Sequence, residues 1–364
     1  MSMLHELPVL SVDEPGRWSP EYVRISYASA LALRFRSGRF AREFPFGGIN
    51  LLLNYEDGCK SDCGYCGLAR SRPGDYEEKS FIRVEWPLVS TDELIDRVVR
   101  YEERMTRLCI SMVTHKRSYP DTLDISRRIT SRTSVPLSVL VAPPTLNRDR
   151  LATLAEAGVD MIGFGLDAVT EEVFRRHRSD VPQGGGLKWD QYWHLIHAAR
   201  DVFGPWKVNC HTLVGLGETD RDLVNVFAYL KQRQIFAYLF CFNPEPDSRL
   251  ADWPKSPLHR WRRVQLVKWL IEERDLAPDH VEYDAGGNIS RLHAPLEAVT
   301  EAVESGYPFM TNGCPSAAGG PGCSRPYGSY RPSEPMRDFP FKPLASDVRQ
   351  IWGELCPDEL LTPV

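Results

Sequence analysis

The sequence predicts an α/β fold in which a parallel β-sheet is covered by helices. Two observations predict it: short apolar runs of strand length recur six times, and amphipathic stretches of helical length separate them. This alternation is typical of parallel sheets, in which each strand is followed by a helix that packs outside the sheet. The periodicity alone does not distinguish an open sheet from a closed barrel. The apolar runs cover residues 49–54, 108–113, 137–141, 161–166, 207–214 and 238–242.

Four of the intervening stretches carry helix start or stop signals. The first follows Ser90, a common N-cap residue, and places Asp92 and Glu93 where the positive end of the helix dipole favours acids. Gly158 supplies a stop signal for the second. The four helices are predicted to begin after Ser90, to cover residues 148–157, to begin near Thr219 and to cover residues 261–273.

Two unlike segments flank the predicted α/β domain, which covers residues 46–305. Residues 1–45 are predicted to be a helical lead-in, with a helix over residues 21–33. Residues 306–364 form a C-terminal extension, and its first part, residues 306–343, is irregular because it holds eight prolines and six glycines. Such a composition is typical of a disordered linker, but the two cysteines and the aromatic residues in it equally favour a segment that wraps a site.

Length and charge exclude several classes of protein. A chain of 364 residues can bury a full core as one large domain with appendages. Its net charge of −5 gives no electrostatic case for binding nucleic acid or an anionic membrane. No apolar stretch approaches the roughly 20 residues that span a bilayer. Nine cysteines without an export signal indicate a reducing compartment, so we expect a cytoplasmic protein with no nucleic-acid or membrane partner.

The most informative feature is a group of three cysteines, Cys59, Cys63 and Cys66, spaced C-x3-C-x2-C directly after the first predicted strand. Three thiolates on one loop can hold three irons of a cubane [4Fe–4S] cluster, and the fourth iron then stays open to another ligand. A structural zinc site needs four ligands, and no further Cys or His follows within the next forty residues. A disulfide framework needs an even number of cysteines in an oxidising compartment. The spacing therefore favours a reactive iron–sulfur site.

This motif, with the aromatic Tyr65 just before its last cysteine, resembles the signature of radical S-adenosylmethionine (SAM) enzymes. The resemblance implies that Cys59, Cys63 and Cys66 ligate the cluster, that SAM binds the open iron, and that SAM cleavage yields a 5′-deoxyadenosyl radical. It also implies that Tyr65 lies beside the adenine, although Tyr65 could instead pack the loop against the barrel rim. The resemblance further implies a full or partial TIM-type barrel, with the cluster loop at the C-terminal ends of the strands.

Further stretches resemble the biotin synthase and lipoyl synthase branch of that superfamily. Residues 207–219 resemble the strand-to-helix turn that approaches SAM there, with Gly215 and Glu218 in matching places. Residues 155–167 resemble the fourth-strand region, whose acidic residue contacts the SAM ribose, here Asp167. The alternative role of Asp167 is that of an N-cap for a helix after it. Residues 242–250 resemble the exit of the sixth strand.

Biotin synthases hold a second cluster with cysteines on successive strands and an arginine. Cys109 and Cys210 fall near two of those positions, but residues 137–141 contain no cysteine where the pattern requires one. Cys210 is shifted by one residue from the position in that pattern, and a one-residue shift turns a strand side chain to the other face of the sheet. Biotin synthase itself is therefore disfavoured. We predict that Cys109, Cys210 and Cys241 are small buried residues, as free cysteines commonly are.

The C-terminal extension resembles the tail of two-subunit, LipS-type lipoyl synthases around residues 309–327. The resemblance makes Cys314 and Cys323 candidate ligands of an auxiliary iron–sulfur cluster, in an extension that covers the barrel mouth. Residues 315–322 look like an insertion between them, because the paired cysteines of those relatives lie closer together. Two cysteines do not complete a cluster, and the candidates for a third ligand are Cys356, Cys241, Ser324 or a residue of a partner.

Three functional classes remain open on this basis. The first is a sulfur-inserting radical SAM enzyme that acts on an octanoyl chain of a lipoyl carrier protein, with a paralogous subunit and an electron donor such as ferredoxin or flavodoxin. The second is a single-cluster radical SAM enzyme for a small molecule, similar to methylornithine synthase or biotin synthase. The third, an electron carrier, is disfavoured because carriers close their clusters with four ligands. No acid or base catalyst beyond the cluster is predicted, and the candidate substrate contacts are His115, Lys116, His211, Arg325 and Tyr327.

Overall fold

The structure is a computed structural model that describes residues 16–182, 186–311, 313–328, 330–331 and 334–361. Within this part of the chain, ten strands form one large sheet and one separate ribbon. The large sheet contains β1 (Tyr22–Ile25), β2 (Gly48–Leu53), β3 (Leu88–Ser90), β4 (Arg107–Ser111), β5 (Leu137–Val141), β6 (Val159–Asp167), β7 (Val208–Val214) and β8 (Phe236–Cys241), and the ribbon contains β9 (Val281–Tyr283) and β10 (Ile289–Leu292).

The helices lie between the strands and after them. They are α1 (Tyr27–Ala32), α2 (Thr91–Arg100), α3 (Ser118–Thr130), α4 (Arg148–Glu156), α5 (Glu171–Phe174), α6 (Trp189–Phe203), α7 (Asp220–Gln232), α8 (Leu258–Arg274), α9 (Leu296–Ser305), α10 (Ala345–Leu355) and α11 (Pro357–Leu360). One π-helical turn, Arg175–Ser179, follows α5 directly.

The large sheet confirms the predicted fold class. Strands β2 and β4 to β8 are parallel and adjacent in chain order, which gives the six predicted β–α alternations. All six residues of β2 are buried, as expected for a strand covered on both faces. Strands β3 and β8 lie at the two ends of the strand order, and the described residues show no hydrogen-bonded pairing between them. The sheet is therefore a partial TIM-type barrel with one open side.

The predicted helix boundaries agree closely with the structure. Helix α2 begins at Thr91, and α4 ends at Glu156, two residues before Gly158, whose φ is +88°. Helix α7 begins after Thr219, whose hydroxyl accepts a hydrogen bond from the Asp222 amide while the Asp222 carboxylate accepts one from the Thr219 amide. This reciprocal capping satisfies two backbone donors that the helix leaves free.

The prediction of a helical lead-in is wrong for its first half. Tyr22–Ile25 form strand β1, which pairs antiparallel with both β2 and β3, and only Tyr27–Ala32 are helical. Val23 and Ile25 are fully buried, whereas Arg24 turns to the other face and donates to the carbonyls of Trp86 and Tyr76. Pairing along the edge of β2 therefore outweighs the local helical pattern.

The C-terminal extension fills the open side of the barrel. On the β8 side, the Arg325 guanidinium lies over the Phe240 ring, 4.8 Å from its centroid. On the opposite side, the Tyr327 hydroxyl donates to the Arg39 carbonyl at 2.9 Å. Glu334 links the two sides, because it accepts from Arg83 at 3.1 Å and from Lys255 at 2.9 Å. The irregular segment is thus a wall of the barrel.

The cysteine pair of the extension reaches the barrel from below, and not over its mouth as predicted. Arg107, at the start of β4, donates to the Pro315 carbonyl at 2.6 Å, and the Thr106 hydroxyl donates to the Gly322 carbonyl at 2.7 Å. A Cβ at Gly48, the first residue of β2, would lie 2.6 Å from that same carbonyl oxygen, so the close approach requires glycine there. These residues mark the N-terminal ends of the strands, opposite to the loop that carries Cys59, Cys63 and Cys66.

Candidate active site

A cavity of about 260 Å³ lies at the C-terminal ends of the parallel strands. Residues of β5, β7 and β8 give it an apolar wall, and the loop after β2 closes one side. Sites at this end of parallel strands are the usual position for chemistry in (β/α) barrels. All three cysteines of the motif line the cavity, as do Tyr65 and Asp167.

The loop that carries the three cysteines is tied to the end of the neighbouring strand. The Lys60 amide donates to the Thr114 carbonyl at 2.7 Å, and the Ser61 hydroxyl donates to the Thr114 hydroxyl at 2.8 Å. The Leu68 amide donates to the Cys66 sulfur at 3.4 Å, a contact that stabilises negative charge on sulfur. The backbone therefore presents the thiols in one direction, towards the cavity.

The chemistry of these thiols fits an iron–sulfur cluster. Burial, and then the neighbouring thiolates of Cys63 and Cys59, raise the pKa of the Cys66 thiol well above its usual value. Bound iron removes the free-energy cost of a buried negative charge on sulfur, because the metal ion neutralises the thiolate that ligates it. Among the described residues, no three His, Cys, Asp or Glu side chains surround one position closely enough to ligate a single metal ion. A cubane cluster makes a different demand, since each iron takes one thiolate.

His115 supports this loop and does not line the cavity, contrary to its predicted role as a substrate contact. Its Nε2 lies 3.1 Å from the Asp57 carboxylate, and its ring stacks on Tyr55 at 3.9 Å. Burial lowers the pKa of His115, which keeps the ring neutral. Lys116 is exposed and also lies outside the cavity lining. His115 therefore packs against the loop after β2 and has no contact with the cavity.

Tyr65 and Asp167, which the resemblance assigned to SAM binding, meet in the cavity. The Tyr65 hydroxyl donates to the Asp167 carboxylate at 2.5 Å. Asp167 ends β6 with a φ of +60°, a left-handed conformation that turns its side chain off the strand. The helix that follows is capped by Thr170, whose hydroxyl accepts from the Val173 amide. The alternative role of Asp167 as an N-cap is therefore wrong.

Arg178 is a cavity residue that sequence reasoning missed. It lies in the π-helical turn, and its guanidinium donates to the Leu166 carbonyl at 2.7 Å and to the Tyr192 hydroxyl at 2.9 Å. It also lies 3.6 Å from the Asp167 carboxylate. In the sequence it belongs to a run of basic residues after a helix start, which is typical of a solvated face. The wider π turn instead directs it inward, where its buried charge lies beside the Asp167 carboxylate.

Gly215 and Glu218 shape the turn after β7 and lie outside the lining of the cavity, and their role in cofactor binding stays a prediction. The Glu218 carboxylate accepts from the amides of Gly215 at 2.8 Å and Leu216 at 2.9 Å, and Arg260 pairs with it at 3.0 Å. Gly215 has a φ of +114°, which only glycine adopts readily. The Glu218 carboxylate is thus occupied within the turn.

Two of the other predicted substrate contacts, His211 and Arg325, do line the cavity, whereas Tyr327 does not. Burial, and then the charge of Arg325, lower the pKa of His211 well below its usual value. His211 is therefore neutral, and it lies deep in the barrel on β7. Tyr327 instead packs in the wall of the extension, where its ring stacks near Tyr330.

A second group of cysteines lies below the cavity. Cys109 of β4 and the two extension cysteines, Cys314 and Cys323, line one small buried pocket. The side-chain Nδ2 of Asn209 donates to the Cys314 sulfur, and the Cys323 thiol donates to the side-chain Oδ1 of Asn50, both at 3.5 Å. Burial, and then Cys109, raise the pKa of Cys314 to about 12, while the Arg107 charge opposes this shift. Three residues, Leu140, His211 and Arg325, line both this pocket and the main cavity.

The remaining cysteines stay apart from this group. Cys210, on the same strand as His211, is fully buried in the apolar core, and burial alone raises the pKa of its thiol. Cys241 lines the main cavity and accepts a hydrogen bond from Arg337 at 3.4 Å. Cys356 lies at the start of α11. The predicted third-ligand candidates Cys241, Cys356 and Ser324 do not line the lower pocket, and Cys109, which we predicted to be only a small buried residue, does.

Comparisons with known proteins agree with this geometry. Residues 53–230 match the family model of the Radical SAM superfamily. The chain contains a radical SAM domain. A biotin synthase from Brucella ovis is 26% identical over 281 residues, which cover 74% of this chain and 79% of the relative, and a biotin synthase from Brucella canis gives the same identity and coverage.

Two solved structures that match part of this chain share little sequence with it. The crystal structure of methylornithine synthase (PylB) matches with a TM-score of 0.46 and 12% identity, over 67% of each chain. The FeFe-hydrogenase maturase HydG from Carboxydothermus hydrogenoformans matches with a TM-score of 0.46 and 16% identity, over 90% of this chain and 70% of that chain.

The radical SAM domain implies a [4Fe–4S] cluster and SAM as cofactors, together with a reductant and a substrate. Cys59, Cys63 and Cys66 fit the cluster by position and by donor chemistry, and the adjacent Tyr65–Asp167 pair lies in the same cavity. Residues 53–230 thus carry the cluster motif of a radical SAM domain. Within the part of the chain that the structure describes, no helix is long and apolar enough to cross a membrane.

Proposed function

We propose that this radical SAM enzyme inserts sulfur into an acyl chain, as lipoyl synthases do. The observation that carries the proposal is the meeting of Cys109, Cys314 and Cys323 in one buried pocket next to the main cavity. Cys109 lies 205 positions before Cys314 and 214 before Cys323 in the sequence, and the fold of the extension brings the three together. Three converging thiols are the donor set of an iron–sulfur cluster, and this group supplies the third cysteine that the tail pair lacks.

Two groups of cysteines would serve two purposes. Cys59, Cys63 and Cys66 would hold the SAM-binding cluster, which supplies the radical that abstracts hydrogen from an unactivated carbon. Cys109, Cys314 and Cys323 would hold an auxiliary cluster, which supplies sulfur. The chain keeps the two groups at opposite ends of one barrel, and only Leu140, His211 and Arg325 border both of their pockets. A substrate carbon held beside these three residues would border both pockets.

The lining of the cavity supports an aliphatic substrate. Its wall includes Leu140, Val141, Leu213, Phe240 and Phe242. An apolar wall of this kind excludes water and holds a saturated chain by packing. By resemblance, the acyl chain of the substrate is an octanoyl group on the lysine of a lipoyl carrier protein. A paralogous radical SAM subunit and an electron donor such as ferredoxin or flavodoxin complete the proposed set of partners.

The test is the iron and sulfide content of the Cys59→Ala/Cys63→Ala/Cys66→Ala variant after anaerobic reconstitution. We expect about four irons per chain to remain if the second group holds a [4Fe–4S] cluster. Adding Cys109→Ala, Cys314→Ala and Cys323→Ala to that variant should remove this iron.

Cys210→Ala is the matched control, because Cys210 lies on β7 between Asn209 and His211, which line the lower pocket, but does not line it itself. It should leave the iron content of the triple variant unchanged. Iron near zero in the triple variant itself would contradict sulfur insertion and favour a radical SAM enzyme with a single cluster. Iron that survives loss of Cys109, Cys314 and Cys323 would place the second cluster elsewhere.

A further inference from the structure

Two cationic side chains lie against the loop after β2, and neither forms an ion pair within the described part of the chain. Lys79 is 9% exposed, and its ammonium group donates to the Ala69 carbonyl at 2.9 Å. The Arg72 guanidinium donates to the Gly67 carbonyl at 2.8 Å. Both carbonyls directly follow the third cysteine of the motif. Neither cation lines the main cavity, so the chemistry described above leaves both without a role.

The backbone of the segment that carries Lys79 is fixed to the barrel. Arg24 of β1 is 1% exposed, and its guanidinium donates to the carbonyls of Trp86 at 3.0 Å and Tyr76 at 2.9 Å, and to that of Lys79 itself. A lysine that is held at its backbone and at its ammonium group has few conformations left. The charge of Lys79 therefore stays beside the loop.

A buried ammonium group is costly unless an opposite charge lies near it. Asp62, the buried acid of the same loop, forms no ion pair with Lys79 among the described residues. Its Oδ1 accepts instead from the amide of Ser71 at 2.9 Å and from the Ser71 hydroxyl at 2.6 Å. Lys79 is thus a buried cation without a directly bonded carboxylate.

The thiolates of the loop supply the opposite charge. Burial, and then the charge of Arg72, lower the pKa of Lys79. The negative charges of Cys66 and Cys59 oppose this shift, and each does so more strongly than the charge of Asp62. The same two sulfurs are positioned to ligate iron. Reduction of a cluster adds a negative charge, so a fixed positive charge nearby favours the reduced state.

We propose that the buried charge of Lys79 raises the reduction potential of a [4Fe–4S] cluster held by Cys59, Cys63 and Cys66. Lys79 acts through its charge from outside the cavity lining, so it is not a catalytic residue. Arg72 contributes less, because its side chain is partly exposed and solvent screens its charge. The proposal rests on the radical SAM domain and does not depend on sulfur insertion.

The test is a redox titration of the anaerobically reconstituted full chain without SAM, followed by EPR spectroscopy. The parent protein carries Cys109→Ala, Cys314→Ala and Cys323→Ala, so that only the loop after β2 can hold a cluster. Lys79→Gln removes the charge but keeps an amide donor for the Ala69 carbonyl. At the midpoint potential of the parent protein, we expect this variant to lower the ratio of reduced to oxidised cluster about tenfold or more, which is about 59 mV for one electron.

Two further variants separate the charge from its surroundings. Lys79→Arg keeps the positive charge, so its ratio should stay within about threefold of that of the parent protein. Lys60→Gln is the matched control: it removes a lysine from the same loop, but that lysine is 44% exposed and pairs with Asp57 at 2.6 Å. Because solvent screens an exposed charge, this variant should also stay within about threefold. Iron content and thermal unfolding show whether each variant is loaded and folded.

A change in Lys79→Gln no larger than that in Lys60→Gln would overturn the proposal. An equal change in Lys79→Arg and Lys79→Gln would also overturn it, because the geometry of the side chain and not its charge would then set the potential. Loss of iron from both Lys79 variants would show that Lys79 only holds the loop, and would overturn it too. Failure of the proposed sulfur insertion is a separate result, because it is read from iron in the lower pocket, which the parent protein lacks.

Discussion

Asp338 of the C-terminal extension lines the main cavity, and it shows at the scale of one residue how a buried carboxyl group costs stability. Burial raises the pKa of Asp338 to about 7, although the charges of Arg262 and Arg337 oppose that shift. A carboxyl group with a raised pKa holds its proton in the folded state at pH values where the unfolded chain has released it. Ionising it in place is unfavourable, so the folded state loses stability as the pH rises. Sites that bind ligands commonly keep such unfavourable groups.

We expect Asp338→Asn to be more stable than wild type at neutral pH. The difference should be absent near pH 4, grow as the pH rises towards about 7, and stay constant above it, because the folded pKa is about 7 and the usual value is 3.8. Three pKa units correspond to at most about 4 kcal/mol. Urea unfolding of both proteins between pH 4 and pH 8 measures this difference in the free energy of unfolding. A difference that stays constant across this range would contradict the raised pKa of Asp338.

At the scale of the elements, the extension is fastened to the barrel by Arg107. Its guanidinium forms a bidentate pair with Asp160 at 2.6 and 2.8 Å, and its third nitrogen donates to the Pro315 carbonyl. The Arg107 side chain is 3% exposed, so its charge depends on these partners. The pair therefore joins the start of β4 and the start of β6 to the segment that carries Cys314.

We expect Asp160→Ala to lower the free energy of unfolding by about 2 kcal/mol, because it leaves a buried guanidinium with fewer partners, and Asp160 itself is partly exposed. The same variant should lose iron from the lower pocket before it loses iron from Cys59, Cys63 and Cys66. Asp201→Ala is the control, since Asp201 forms an exposed pair with Arg148. Equal losses of stability in both variants would show that Arg107 does not fasten the extension.

The parts of the fold that were predictable are those with local signals. The six parallel strands are apolar runs, α2 has acidic residues in its first turn, and α4 and α7 have side-chain caps, so the sequence alone predicts them. Strand β1 was missed because its pairing with β2 and β3 is a long-range effect. The alternation of buried Val23 and Ile25 around Arg24 was the available signal.

In the candidate site too, the parts that could be predicted are those with a local sequence pattern. The spacing of Cys59, Cys63 and Cys66 within one loop is a local pattern, and it identified the first cysteine group. The group of Cys109 with Cys314 and Cys323 is not local, because it depends on how a proline- and glycine-rich segment folds back under the barrel. Arg178 was hidden for another reason: a π-helical turn changes which face a residue occupies, and side-chain periodicity assumes a regular helix.

At the scale of the whole molecule, one chain builds two pockets at opposite ends of a partial barrel and closes the open side with its own C-terminal extension. Cys59, Cys63 and Cys66 of the upper pocket all lie in the loop after β2, whereas Cys109 of the lower pocket lies in the barrel and Cys314 and Cys323 lie in the extension. A metal centre ligated by the lower group would therefore link the barrel to the extension, whereas one ligated by the upper group would be held by one loop. Occupancy of the lower pocket should thus stabilise the extension selectively.

We expect iron loading of the Cys59→Ala/Cys63→Ala/Cys66→Ala variant to slow amide hydrogen exchange about tenfold or more in residues 313–325 and 107–111, because metal ligation opposes local opening. Exchange in residues 59–66 should not change, since that loop has lost its ligands. Adding Cys314→Ala and Cys323→Ala should abolish the effect. Iron that binds without slowing exchange in the extension would show that the lower pocket does not hold it.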